Sequence, residues 1–118
     1  SNAISGLEVN FSSIDFTSRA SVLNTAKTFE DLGVAAYNGA GKLIVSADYL
    51  LLAGKIVSVE ARHAAAIRDL LNPGTASFAG NDVINAQGLD GAKTPAEVLS
   101  AASSFLKTKI NASNLPTG

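Results

Sequence analysis

Three polar side chains interrupt helical stripes of apolar residues, and they are the residues best suited to chemistry. Glu60 and His63, the only histidine in the chain, lie three positions apart in a segment where apolar residues recur every three or four positions. Glu30 takes the same kind of position in an earlier segment, with the small residues Ala26 and Gly33 beside it. No Lys or Arg falls on these stripes. Because burial of an unpaired carboxylate is costly, the three side chains need each other or a cation as partners.

The spacing Glu-x-x-His places a carboxylate and an imidazole one helical turn apart on the same face. It is the spacing of half a carboxylate-bridged dimetal site in a helical bundle, and Glu30 would add a carboxylate from a facing helix. The chain has no cysteine, so this donor set suits iron, manganese or zinc better than copper(I) or an iron–sulfur cluster. We therefore predict that Glu30, Glu60 and His63 are metal ligands. A partly exposed Glu–His pair without a metal is the alternative.

Other polar residues near these stripes have structural interpretations. Tyr37 is interpreted as an aromatic residue of the core. Asp31 and Asp69 are interpreted as charges on solvated faces, and Arg68 lies away from the inward stripe.

Two long helices position the candidate ligands. The first is predicted over 18–44, with Thr17 and Ser18 as capping residues, and the glycines near its end predict fraying or a kink around 39–45. The second is predicted over 48–71 and stops at Asn72-Pro73-Gly74, where three helix-ending signals coincide. The short connection favours antiparallel packing, so 18–71 is predicted to form a helical hairpin.

The remaining segments have simpler assignments. Thr94-Pro95-Ala96-Glu97 has the pattern of a capping box with proline in the first helical turn, and it predicts a C-terminal helix. The full division is a tag remnant at 1–3, an extended lead-in at 4–17, the hairpin at 18–71, a long loop at 72–93, the C-terminal helix at 94–110 and a tail at 111–118.

Length and composition exclude several functional classes. With 118 residues the chain is one domain or part of one. Nine basic and ten acidic residues, with no Lys/Arg cluster, argue against a nucleic-acid partner. No uninterrupted apolar run approaches the roughly 18–20 residues that span a bilayer, so no membrane insertion is expected.

Three segments carry a resemblance to a known family. Two of them resemble the second half of the domain that defines the ferritin-like domain family. They are FEDLGVAAYNGAGKLI at 29–44 and LLLAGKIVSVEARHAAAIRDLL at 50–71. The run LDGAKTPAEVLSAASSFL at 89–106 is similar to the segment that follows in that family. The resemblance implies an all-α fold, half of a ferritin-like four-helix bundle plus a short C-terminal helix. It points to the same three ligands, Glu30, Glu60 and His63.

The resemblance also implies a range of functions. Ferritin-like proteins include iron-storage proteins, iron oxidases and manganese catalases, so the expected function is that of the C-terminal half of a di-iron or di-manganese carboxylate protein with redox activity. A structural or stress-related bundle with a vestigial metal site is the alternative. Similar full-length proteins are exported, which suggests the periplasm or cell envelope.

Only half of a four-helix bundle is represented in the sequence. Two helices with wide apolar faces cannot cover those faces by packing on each other alone. Twofold pairing is the commonest symmetry of oligomers, so we expect a homodimer that completes a four-helix bundle. Such a pairing would bring together two Glu30 carboxylates and two Glu60–His63 pairs.

Overall fold

The structure, a computed structural model, describes residues 6–115 as a helical hairpin followed by a short C-terminal helix. The antiparallel direction of the hairpin is evident from contacts such as the Arg19 guanidinium donating to the Leu70 carbonyl, 3.3 Å away. Residues 6–115 contain no β-strand, which confirms the predicted all-α class. The helices are α1 (Arg19–Gly41), α2 (Ala47–Leu71) and α3 (Pro95–Ala102), and two 3₁₀ turns cover Ala76–Ala79 and Ser103–Phe105.

Side-chain caps fix where each helix begins. The Ser18 hydroxyl accepts a hydrogen bond from the Ser21 amide at the start of α1, and Ser46 caps α2 through the Tyr49 amide. Thr94 and Glu97 form the predicted capping box of α3. These caps satisfy amide groups that have no partner inside the helix. The helix starts could therefore be predicted from short local motifs.

The C-terminal helix is shorter than predicted. It ends at Ala102 rather than at 110, because the chain after the second 3₁₀ turn pairs with the lead-in. The Asn10 amide donates to the Phe105 carbonyl at 2.8 Å, and the Lys107 amide donates to the Glu8 carbonyl at 2.9 Å. Backbone groups engaged in this pairing are not available for helical hydrogen bonds.

An aromatic cluster joins these two segments to α1. The ring of Phe29 lies with its centroid 6.4 Å from that of Phe11 and 4.6 Å from that of Phe105. Such edge-on and tilted pairs are favourable arrangements of aromatic rings. The lead-in and the C-terminal segment thus cover one side of α1.

A buried ion-pair cluster fastens the 72–93 segment to the hairpin. Arg68, only 5% exposed, binds both carboxylate oxygens of Asp31 at 2.7 and 3.1 Å and both oxygens of Asp82 at 2.8 and 3.0 Å. The two carboxylates raise the pKa of Arg68 above its ordinary value. The interpretation of Asp31 as a solvated-face charge was therefore wrong, because the 72–93 segment covers this side of the hairpin.

The same segment approaches α1 closely at Gly39. A Cβ atom at this position would collide with the Lys93 carbonyl oxygen, and the Lys93 amide donates to the Ala35 carbonyl at 2.9 Å. Gly39 is buried within α1, which continues to Gly41. The glycine therefore serves close backbone packing, whereas the sequence had suggested only a weak helix end.

Candidate metal centre

Glu30 and His63 meet across the hairpin. Glu30 lies in the middle of α1 and His63 in the second half of α2, and the antiparallel packing brings the His63 Nδ1 atom to 3.3 Å from the Glu30 Oε1 atom. The His63 side chain is 58% exposed and the Glu30 side chain 27% exposed. The pair therefore lies at the edge of the interface between the two helices.

Glu60 points into the hairpin, against α1. Its Oε2 atom is buried and has no hydrogen-bond partner among the described residues. Gly33 of α1 makes this position accessible, since a Cβ atom there would lie 2.8 Å from Glu60 Oε2 and 3.0 Å from its Cδ atom. The carboxylate of Glu60 thus occupies the space that Gly33, one of the small residues beside Glu30, leaves on α1.

The electrostatic environment makes the ionised Glu60 unfavourable. Burial raises the pKa of the Glu60 carboxyl above its ordinary value, and the neighbouring Glu30 raises it further, while His63 partly opposes the shift. Burial and a like charge both disfavour the charged carboxylate. Protonation of the Glu60 carboxyl would relieve both effects.

The chemistry of the three side chains fits a divalent metal, but the hairpin supplies only part of a coordination shell. Carboxylates and imidazole are common ligands of iron, manganese and zinc. Within residues 6–115, however, no three His, Asp or Glu side chains are arranged to hold a metal ion. The three predicted ligands share one region of the hairpin without converging on a common point.

The inward stripe predicted for α2 divides into two rows in the structure; its predicted members are Tyr49, Ala53, Ile56, Glu60, His63, Ile67 and Leu70. Ala53 is buried, Glu60 and Ile67 are half-buried, and Tyr49 at the start of the stripe is exposed. Ile56, His63 and Leu70 belong to the second row and are exposed. The periodicity identified an apolar surface wide enough for two neighbouring helices, of which α1 covers one side. Tyr37 is half-buried on α1, as expected for an aromatic residue near the core.

The family assignment rests on a match that includes this region. A family model described as a ferritin-like domain matches residues 1–73. The chain belongs to the ferritin-like domain family. The matched part of this ferritin-like domain contains α1, α2 and all three candidate ligands, whereas the similar segment noted at 89–106 lies outside it.

Comparisons with curated proteins and with solved structures add nothing to this family assignment. No curated protein and no solved structure matches the chain. Among residues 6–115, no helix has both the length and the apolar character to cross a membrane.

Proposed function

We propose that this ferritin-like domain is a metal-binding module in which Glu30, Glu60 and His63 provide ligands for iron or manganese, with zinc as a further candidate. It would act as the C-terminal half of a di-iron or di-manganese carboxylate site. Bound iron or manganese would supply redox chemistry toward oxygen or a peroxide.

The observation that carries this proposal is the buried oxygen of Glu60. A buried polar atom without a partner costs about 1–3 kcal/mol, and more when the group is charged. Gly33 leaves space for the carboxylate at this position. A cation bound to Glu60 would compensate for the missing hydrogen bond and for the repulsion from Glu30.

The contact between Glu30 and His63 supports a defined role for the imidazole. Histidines that bind metals commonly direct their other ring nitrogen to a carboxylate, which fixes the ring orientation and the tautomer. Since Nδ1 of His63 lies against Glu30, Nε2 is the nitrogen left for a metal. Glu30 would then hold His63 in position as well as contribute negative charge to the site.

A specific observation favours the alternative, a bundle module with a vestigial metal site. In the part of the chain that the structure describes, no group of three potential ligands is arranged to hold an ion. His63 is also largely exposed. On this alternative, the raised pKa of the Glu60 carboxyl reflects only its burial and the neighbouring Glu30.

Elemental analysis of protein purified without chelator separates the two functions. We expect the wild-type chain to retain iron or manganese and the Glu60→Gln and His63→Gln variants to lose it. Asp48→Asn is the matched control, because it removes an exposed carboxylate from the first turn of the same helix, away from the candidate ligands. Metal that is absent from the wild type, or equally present in Glu60→Gln, would favour the vestigial site.

A further inference from the structure

A second apolar row on α2 is not covered by α1, and we call it the open stripe. Its members follow at steps of four, three, four, three and four, the spacing of one face of a helix that packs against another helix. Its large apolar side chains are between 39% and 52% exposed. The open stripe consists of Leu52, Ile56, Val59, His63, Ala66 and Leu70.

The chain exposes more surface than a compact protein of its size. Its accessible surface is 8077 Å², whereas a folded monomer of 12.0 kDa exposes about 6,000 Å². Its radius of gyration is 15.3 Å, against about 13.5 Å for a compact chain of this length. This excess of about 2,000 Å² is distributed over the whole chain, and the exposed side chains of the open stripe contribute to it.

We propose that the open stripe binds the open stripe of a second copy of this chain, with the two α2 helices antiparallel about a twofold axis between Val59 and His63. In this register each member has a partner on the stripe. Leu52 lies opposite Leu70 of the second copy, Ile56 opposite Ala66, and Val59 opposite His63. In the second of these pairs the long side chain of Ile56 faces the short side chain of Ala66. No member of the open stripe is left without a partner.

Charge on the flank of the open stripe is compatible with this register. The charged residues of α2 recur every seventh position along one edge of the stripe, at Asp48, Lys55, Arg62 and Asp69. In the antiparallel pairing, Lys55 lies nearest to Asp69 of the second copy, an opposite-charge pair of the kind that selects helix orientation. The Lys55–Asp69 pair occurs twice because of the symmetry. These two attractive contacts outnumber the single repulsive approach of Arg62 to its own counterpart near the axis.

The pairing also affects the candidate metal centre, and this step rests on the proposed function. Glu60 and the hairpin partner α1 lie on the other flank of the open stripe. The twofold axis places the Glu60 residues of both copies on the same side, one turn or less from the axis. The second copy would cover His63 and add its own Glu60 and His63, which supplies the ligands that a single hairpin lacks.

Cross-linking tests the register directly, because the chain has no cysteine of its own. Leu52→Cys and Leu70→Cys variants are prepared separately, mixed after partial unfolding and refolding, and treated with a short bismaleimide. Antiparallel pairing predicts a covalent dimer in the mixture and none in either variant alone, since identical positions are about 27 Å apart along the axis. Covalent dimers in each variant alone, or in none of the samples, would overturn the proposed register.

Light scattering tests the interface without engineered cysteines. We expect a mass twice the 12.0 kDa of one chain for the wild type and for Leu51→Glu, and half that mass for Val59→Glu. Leu51 is the matched control because it is 60% exposed on the same helix but lies outside the open stripe. A monodisperse wild-type monomer, or a Val59→Glu variant that stays dimeric, contradicts the interface.

The outcomes of these experiments separate the interface from the metal function. A dimer with the predicted cross-link that retains no metal would support the interface and refute the metal proposal. A monomer that binds metal and loses it on Glu60→Gln substitution would refute the interface alone.

Discussion

The space left by the missing side chain of Gly33 on α1 is occupied by the carboxylate of Glu60 on α2. A Cβ atom at position 33 would lie 2.8 Å from Glu60 Oε2 and 3.2 Å from Oε1. The inward position of Glu60 therefore depends on a glycine in the facing helix.

Substitution of this glycine should weaken metal binding without weakening the helix. Alanine is about 1 kcal/mol more favourable than glycine inside a helix, but in Gly33→Ala the new methyl group displaces the Glu60 carboxylate. We expect a loss of about 10- to 100-fold in affinity for Mn²⁺, the range found when the support of a metal ligand is disturbed. A metal titration at neutral pH measures this change.

Gly54→Ala is the control for helix propensity. A Cβ atom at Gly54 would meet none of the described residues within 4 Å. The variant should unfold with a free energy about 1 kcal/mol higher than the wild type and should bind Mn²⁺ with unchanged affinity. Equal metal affinity in Gly33→Ala and Gly54→Ala would show that the Glu60 position is irrelevant to binding.

The raised pKa of the Glu60 carboxyl predicts how the stability of the metal-free protein depends on pH. Because the folded state holds this proton more tightly than the unfolded state, the contribution of Glu60 to stability is fully present below its ordinary pKa of 4.5. It is lost as the pH rises through the raised folded-state value. In the presence of chelator, the wild type should lose stability relative to Glu60→Gln as the pH rises above 4.5.

Urea unfolding of both proteins across that pH range provides the measurement. The difference between the two curves isolates Glu60, because the other carboxyls are present in both proteins. These include Asp82 and Glu97, whose lowered pKa values change stability in the opposite direction. A difference that does not change with pH would mean that Glu60 is not held in an unfavourable environment.

The cluster around Arg68 should be a major source of stability for the 72–93 segment. Arg68→Ala leaves the half-buried Asp31 without its partner, and we expect a loss of about 3 kcal/mol in the free energy of unfolding. Asp82→Asn should cost about 1 kcal/mol or less, because the Asp82 side chain is 64% exposed. Denaturant unfolding of the two variants compares these effects, and a larger loss for Asp82→Asn would contradict this assignment.

The secondary structure of the hairpin could be predicted because its signals are local. Ser18 and Ser46 cap helices in which apolar residues recur at helical spacing, and Thr94 begins the capping box of α3. The end of α3 could not be found in this way. It depends on backbone pairing with the lead-in, about a hundred positions earlier in the chain.

Long-range contacts also explain why the role of Arg68 was missed. Its position away from the predicted inward stripe gave no indication that the 72–93 segment would cover it. A weaker signal was present, since Ala53, Val57, Ala64 and Arg68 follow one another at helical spacing on α2. Two aspartates brought in from other segments make burial of the guanidinium favourable, and no periodicity within α2 could reveal them.

The sequence predicted which residues form the candidate site better than it predicted what surrounds them. The stripes selected Glu30, Glu60 and His63, and the fold brings the first and last into contact and buries the carboxylate of the second. Periodicity reports which face of a helix is apolar, but it does not report what covers that face. The exposure of His63 therefore became evident only from the packing of the hairpin, and metal binding by the three residues stays a prediction.

The most direct test of the metal-binding proposal is an equilibrium titration of the chelator-treated chain with Mn²⁺, followed by the electron paramagnetic resonance signal of the free ion. We predict saturable binding of about one ion per chain, because two carboxylates and one histidine per chain match half of a dimetal site. Glu60→Gln should abolish saturation, whereas Asp48→Asn should leave it unchanged. Absence of saturable binding by the wild type, or a Glu60→Gln curve that superimposes on the wild-type curve, would contradict the proposal.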